Sequence, residues 1–290
     1  MSGIALPAEG GAEFKERSKR RRPPLLVIIC LLIMLGIAVM AAFGNAVAPR
    51  DAMAQHLDVG LTRPSWTYLF GTDTFGRDIF SRVIVGARAA VVGPAVVALI
   101  SFAVGNFLGL NAGYFGGRTD SLIMRWVDLM LALPGLLVAV VVVGAVGGGY
   151  WMAVLVLAVL FIPFDTRVIR GATLEQMPRP YVEAAVAAGV PRRRIMLLHI
   201  WPNVSATALA NTFLLFAVAL VALSGLSFLG FGAGPGSPDW GLMLAENRTL
   251  LFINPWAALA PAAMIVIVAT SINLIGDWVY ERMTARGVTR

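Results

Sequence analysis

Five stretches of this sequence carry no charged residue, and each is long enough to cross a lipid bilayer. Arg22 to Arg50 encloses 27 uncharged residues, Arg88 to Arg118 encloses 29, Asp128 to Asp165 encloses 36, Arg194 to Asp239 encloses 44 and Arg248 to Asp277 encloses 28. A helix that spans the hydrocarbon needs about 20 apolar residues. Four windows therefore fit one span each. In the longest, His199, Pro202 and Asn203 stand at the start and a Gly/Pro-rich run, 230–238, at the end, so its apolar centre is about 206–229. The 36-residue window is too long for one helix and is broken by Gly147-Gly148-Gly149, so it divides in two. The expectation is an all-α membrane protein with six transmembrane helices, near 25–43, 89–110, 122–146, 150–167, 206–229 and 256–276.

Composition agrees. Hydrophobic residues make up 58% and charged residues 13%, against roughly 45–50% and about 25% in soluble domains. That excludes a disordered chain and an ordinary soluble enzyme. The single cysteine, Cys30, lies in an apolar run, where it packs as a small hydrophobe and can form no internal disulfide. The first span has a basic approach and an Ala46-Val47-Ala48 sequence like a signal-peptide cleavage site. Its apolar core, 25–43, exceeds the usual 7–15 residues of a signal peptide, so it reads as an uncleaved anchor.

Basic residues set orientation. With the N-terminus in the cytoplasm, 17 of the 23 Lys and Arg fall inside and six outside (Arg50, Arg63, Arg77, Arg82, Arg88, Arg248). Residues 1–24 then form a basic cytoplasmic tail that meets anionic lipid, 44–88 an extracytoplasmic segment with an interfacial helix, and 278–290 a cytoplasmic C-terminus. The net charge of +7 is thereby accounted for without nucleic acid.

The chain contains no G-x-x-x-x-G-K-[ST] and no H-E-x-x-H, and both lysines lie in the tail, so it has no phosphate-binding loop of that type. His56 and His199 fall on opposite sides of the expected membrane. Asp128, Asp165 and Asp277 are placed at cytoplasmic span ends, with no charge at a span centre. Ion-coupled carriers keep such charges near mid-membrane. A secondary carrier acting alone is thus the weaker reading, a scaffold without a pathway is a second alternative, and an energy source on another chain is favoured.

Three stretches stand out. The first lies in the long inner loop, 165–205. Pro180 suits the first turn of a helix, Glu183 complements the positive end of that turn, and Gly189 followed by Pro191 stops it. The result is a short helix, about 180–189, with an alanine-rich surface, followed by Arg192-Arg193-Arg194. The second is Gly71-Thr72-Asp73 through Gly76-Arg77-Asp78 to Ser81-Arg82. There Thr72 or Asp73 can cap a helix, and Asp78 can pair with Arg82 four residues on. The third, 226–244, is a Gly/Pro-rich outer turn in which Trp240 suits the membrane interface.

Glu183-Ala184-Ala185, Gly189 four residues later and Pro202 thirteen beyond that resemble the EAA loop of ABC importer permeases. His199 and Trp201 depart from the general pattern, but the His-Ile-x-Pro-Asn form is similar to the dipeptide/oligopeptide/nickel branch. The 71–82 string, Asn273 to Asp277 and the 226–244 stretch also resemble that branch, with Pro235-Gly236 where Pro-Pro is usual and without an Asp-Pro-Arg ending.

The resemblance implies a C-type permease subunit with a type I ABC importer fold, its five-span transmembrane domain over 89–277, in a bacterial cytoplasmic membrane. Implied partners are a homologous permease subunit, two ATPase subunits and an extracytoplasmic substrate-binding protein. Tyr181, Glu183, Ala184, Ala185 and Gly189 would form the ATPase-coupling helix. This chain would bind no cofactor and hold no catalytic or metal site, with ATP and Mg at the partner ATPases. The implied substrate class is peptides or a related small solute.

Overall fold

The computed structural model describes residues 23–287, which are helical apart from connecting loops and one isolated bridge between Thr72 and Asp78. In chain order the helices are α1 (Leu25–Val47), α2 (Ile79–Phe115), α3 (Gly117–Leu131), α4 (Gly135–Val146), α5 (Tyr150–Gln176), α6 (Pro180–Ala187), α7 (Arg192–Arg194), α8 (Trp201–Phe228), α9 (Trp240–Asn247) and α10 (Trp256–Gly287). A π-helical segment, Ile195–Ile200, joins α7 to α8. The expected basic tail, 1–24, lies almost wholly outside the described residues.

Five helical stretches, α1, α2, α5, the continuous run from α7 to α8, and α10, are long and apolar enough to cross a membrane singly. The third span expected at 122–146 is not one straight helix. It is broken at Ala132-Leu133-Pro134, and α3 and α4 meet at a bend of 79°. Proline has no N–H to continue the ladder and bars the helical conformation at the residue before it. Six passes therefore require that the bent pair be counted as one.

Helix ends also shift. α2 starts at Ile79, ten residues before its expected span, so the helix expected as a separate interfacial element is its first turns. At 37 residues it is about 55 Å long, well beyond the hydrocarbon thickness of roughly 30 Å. α5 runs on past Asp165 to Gln176, as the 150–167 expectation allowed.

The bundle is centred on α2, which packs along α5 and also meets α1 and α8. Gly105, Gly109 and Gly113 form a smooth stripe on α2. A Cβ at these positions would lie 2.4 Å from the Asp165 Cβ, 2.8 Å from the Ile169 Cβ and 2.6 Å from the Thr173 Cβ. Apolar tails of lipid give no hydrophobic reason for helices to associate, so close backbone approach across small residues supplies the packing energy.

Chain direction and contacts sort the loops into two groups. One end gathers 48–78, 147–149 and 229–255, with Trp240 against Gly86 and Tyr150 against Ala89. The other gathers the α2–α3 turn and α6, with Arg170 bonded to Asp120. Pro23, where the described chain starts, and the C-terminal end of α10 belong to the α6 end.

Candidate functional site: the α6 loop

The helix expected over 180–189 is present as α6, eight residues long. Pro180 opens it and Glu183 lies in its first turn. Gly189, at φ +69°, closes it. The Gly189 N–H donates to Val186 O (3.0 Å) and the Val190 N–H to Ala185 O (3.1 Å). This paired pattern satisfies carbonyls that a helix end leaves free, and its left-handed residue favours glycine.

One side of α6 is a foot. Val182 and Ala185 are buried against Leu110 of α2, Ile169 of α5, and Ile195, Ile200, Val204 and Ala208 below the loop. The other side is open, with Tyr181, Glu183, Ala184, Val186, Ala187 and Ala188 exposed. The five expected coupling residues thus divide by geometry. Tyr181, Glu183 and Ala184 face outward, Ala185 faces the base, and Gly189 makes the turn.

Two features under α6 were not foreseen. The π-helical segment is the first. Its wider turn brings residues five apart onto one face, and Ile195 and Ile200 are accordingly both buried beneath α6. The second is a polar strap. The Tyr181 hydroxyl donates to Gln176 Oε1 (2.8 Å) and accepts from Asn203 Nδ2 (3.2 Å), while Asn203 also donates to His199 O (2.7 Å). Partial burial pushes the Tyr181 phenol above its ordinary value. The strap ties α6 to the end of α5 and the start of α8.

Asp165, expected as a polar span end, is fully buried between α2 and α5, and its Oδ1 accepts from Asn211 of α8. Among long-range signals the Gly105-x-x-x-Gly109-x-x-x-Gly113 spacing was readable in the sequence, whereas the Asn211 partnership was not.

The opposite end corrects three expectations. Asp78, not Thr72 or Asp73, caps α2, accepting from the Ser81 N–H at 3.1 Å. Arg82 does not pair with Asp78. With Arg77 it converges on Glu246, at 3.4 and 2.9 Å, and on the carbonyl of Gly236. Arg77 also pairs with Asp73 at 2.6 Å. Buried guanidinium groups need partners, and two of these, Glu246 and the Gly236 carbonyl, lie far along the chain. Trp240 is not an interfacial anchor. It is buried, and its indole N–H donates to Val83 O at 2.9 Å.

A multi-pass helical bundle with a capped short helix footed on α2, α5 and α8 is the architecture of an integral membrane domain. The sequence model described as "Binding-protein-dependent transport system inner membrane component" matches residues 105–286. The chain is 39% identical to the di/tripeptide transport system permease protein of Pseudomonas aeruginosa over 253 residues, 85% of this chain and 84% of the relative. It is 36% identical to the dipeptide transport system permease protein of Haemophilus influenzae, with 91% of each chain covered. It is 35% identical to the glutathione transport system permease protein of Escherichia coli O6:K15:H31, covering 94% of this chain and 91% of that one. The fold resembles the inward facing MetNI methionine ABC transporter, with a TM-score of 0.59 at 18% identity, covering 69% of this chain and 95% of that one. The chain belongs to the family of binding-protein-dependent transport system inner membrane components, and its fold is that of a type I ABC importer permease.

Proposed function

We propose that this chain is one permease subunit of an ATP-driven importer and that α6 is the helix through which a cytoplasmic ATPase drives it. The observation that carries the reading is the two-sided build of α6. Its foot is locked into α2, α5 and the α8 approach, while Tyr181, Glu183, Ala184 and Val186 remain open to a partner. A second, homologous permease subunit completes the path, two ATPases hold the ATP and Mg, and an extracytoplasmic protein delivers substrate. Peptides or a related small solute are the proposed cargo, supported by the printed functions of the relatives.

In this reading the α6 end faces the cytoplasm together with both chain termini, the orientation favoured by 17 inner against six outer basic residues. Closure of the ATPase pair binds one arrangement of the permease better than the other. That difference in binding is what shifts the path between its inward and outward states.

The test uses two substitutions. Glu183→Lys reverses the exposed charge, and Gly189→Asp puts a side chain on a left-handed residue, at about 1–2 kcal/mol. Both are expected to insert normally, to copurify poorly with the ATPases and to lose uptake. Gly189→Asn, which tolerates that conformation better, is expected to retain more activity. Normal copurification with full uptake in both variants would overturn the coupling role. Uptake by the purified chain alone, driven by an ion gradient, would instead establish a secondary carrier.

A further inference from the structure

We infer that the loop tips carrying Trp66 and Phe252 are seated in the headgroup layer of the surrounding bilayer, a two-loop aromatic anchor at the end of the bundle opposite α6. Trp66 is 99% and Phe252 98% exposed, the most exposed large apolar side chains among the described residues. Neither is on a slack loop. The Ser65 N–H donates to Tyr68 O (2.8 Å) and the Tyr68 N–H to Ser65 Oγ (3.1 Å), closing a tight turn around Trp66. Arg50 lies 4.2 Å above the Tyr68 ring and bonds to Thr67 O, which pins the same turn from α1's side.

The two loops are also stitched to each other. The Asn254 side chain donates to Phe70 O (2.9 Å) and Thr72 O (3.2 Å), and Phe70 stacks on Trp256 at 5.6 Å. Trp66 and Phe252 are therefore held out by a rigid frame, with no protein side chain covering them.

Depth follows from helix length. Trp256 to Asp277 covers about 32 Å of α10, close to the roughly 30 Å of hydrocarbon. Trp256 then falls at the boundary, and Phe252, one turn earlier, lies just outside it. The exposed strip Leu251, Ile253, Trp256 and Leu259 continues from the loop onto the exposed wall of α10 without a charged residue. That continuity favours lipid over a docked protein. Aromatic rings suit this layer because an apolar body meets hydrocarbon while the polar edge of an indole stays wet. Exposed Arg63, at the base of the Trp66 loop, supplies a cation for lipid phosphate.

The test places a nitroxide at Trp66→Cys or Phe252→Cys in a Cys30→Ala background, in the full chain reconstituted in phosphatidylcholine/phosphatidylglycerol nanodiscs. Leu259→Cys serves as the lipid reference and Asp51→Cys as the aqueous one. At both sites the ratio of oxygen to nickel-chelate collision is expected to fall between the two references, clearly above that at Asp51 and below that at Leu259. A nickel-dominated profile like that at Asp51 would overturn the anchor. So would labels that lose contact with both reagents on adding a substrate-loaded extracytoplasmic binding protein, which would make the patch a protein-docking face. An unlabelled check uses brominated phosphatidylcholine. Its quenching of tryptophan fluorescence should be smaller in Trp66→Phe than in the wild type, and equal quenching counts against the proposal.

Discussion

Arg170 grips Asp120 through two parallel bonds, Nε to Oδ1 at 2.5 Å and Nη2 to Oδ2 at 2.6 Å, and so fastens α5 to α3. Arg167 bonds to Asp128 close by. α5 continues from these pairs into the turn that carries α6, so the pairs link the base of α6 to the bent α3–α4 pair. Both pairs meet water, where such contacts contribute about 0–1 kcal/mol. Arg170→Glu is therefore expected to leave thermal stability almost unchanged while lowering transport per ATP hydrolysed. The exchange Arg170→Glu with Asp120→Arg should restore it. Coupled uptake and hydrolysis assays on the same vesicles check this, and a variant that merely unfolds refutes it.

The glycine stripe makes a prediction of opposite kind. At Gly109 a Cβ would lie 2.8 Å from both the Ile169 Cβ and the Thr166 carbonyl oxygen, and at Gly105 2.4 Å from the Asp165 Cβ. Backbone and Cβ atoms cannot swing aside, so Gly105→Ala or Gly109→Ala forces α2 and α5 apart. Overpacking of this sort costs about 1–3 kcal/mol. Gly171→Ala, with nothing within 4 Å, is the control. Melting curves in detergent should show a clear loss for the first two and none for the third.

What the sequence disclosed divides along the range of the interactions concerned. Passes were legible because hydrocarbon excludes charge, and the spacing of charges records that directly. α6 was legible because Pro180, Glu183 and Gly189 act within one turn of themselves. The bend at Pro134 went unread because an uncharged window reports length but not direction, although the proline was the available signal. Arg77 was counted only as an outer charge and Arg82 was matched to Asp78, because their shared partner, Glu246, lies in α9, with α3 to α8 in between along the chain. Trp240 was assigned to the interface on residue type alone. Its burial depends on Gly86, whose absent side chain leaves room for the indole.

Ala184 and Ala185 are adjacent yet face opposite ways, the first exposed and the second 7% exposed against the base of α6. Ala185→Leu is expected to lever the foot off Ile195 and Val204 and to lower stability by about 1–3 kcal/mol. Ala184→Leu should leave the melting temperature unchanged and obstruct only a partner's surface. Pulldown of the ATPases alongside melting separates the two effects. Equal destabilisation by both variants would mean that α6 lies flat, without a free face.

Asp239 caps α9, its Oδ1 accepting from the Leu242 N–H at 3.0 Å, and burial pushes its carboxyl above the ordinary carboxylate range. The folded state therefore penalises the ionised form. For a group raised in this way, the contribution to stability is complete below the unfolded value, near 3.9. It is lost as pH climbs through the higher folded value. Asn is as good a cap as Asp and has no charge to strip of water. Asp239→Asn should thus remove the acid-side step, melting above the wild type at pH 8 and level with it near pH 4. Asp239→Ala loses the cap itself and should fall by about 0.5–2 kcal/mol at both pH values. Unfolding curves for the three proteins across that range decide the matter. If wild type and Asp239→Asn keep parallel pH profiles, burial of the carboxylate is not what sets this end's stability.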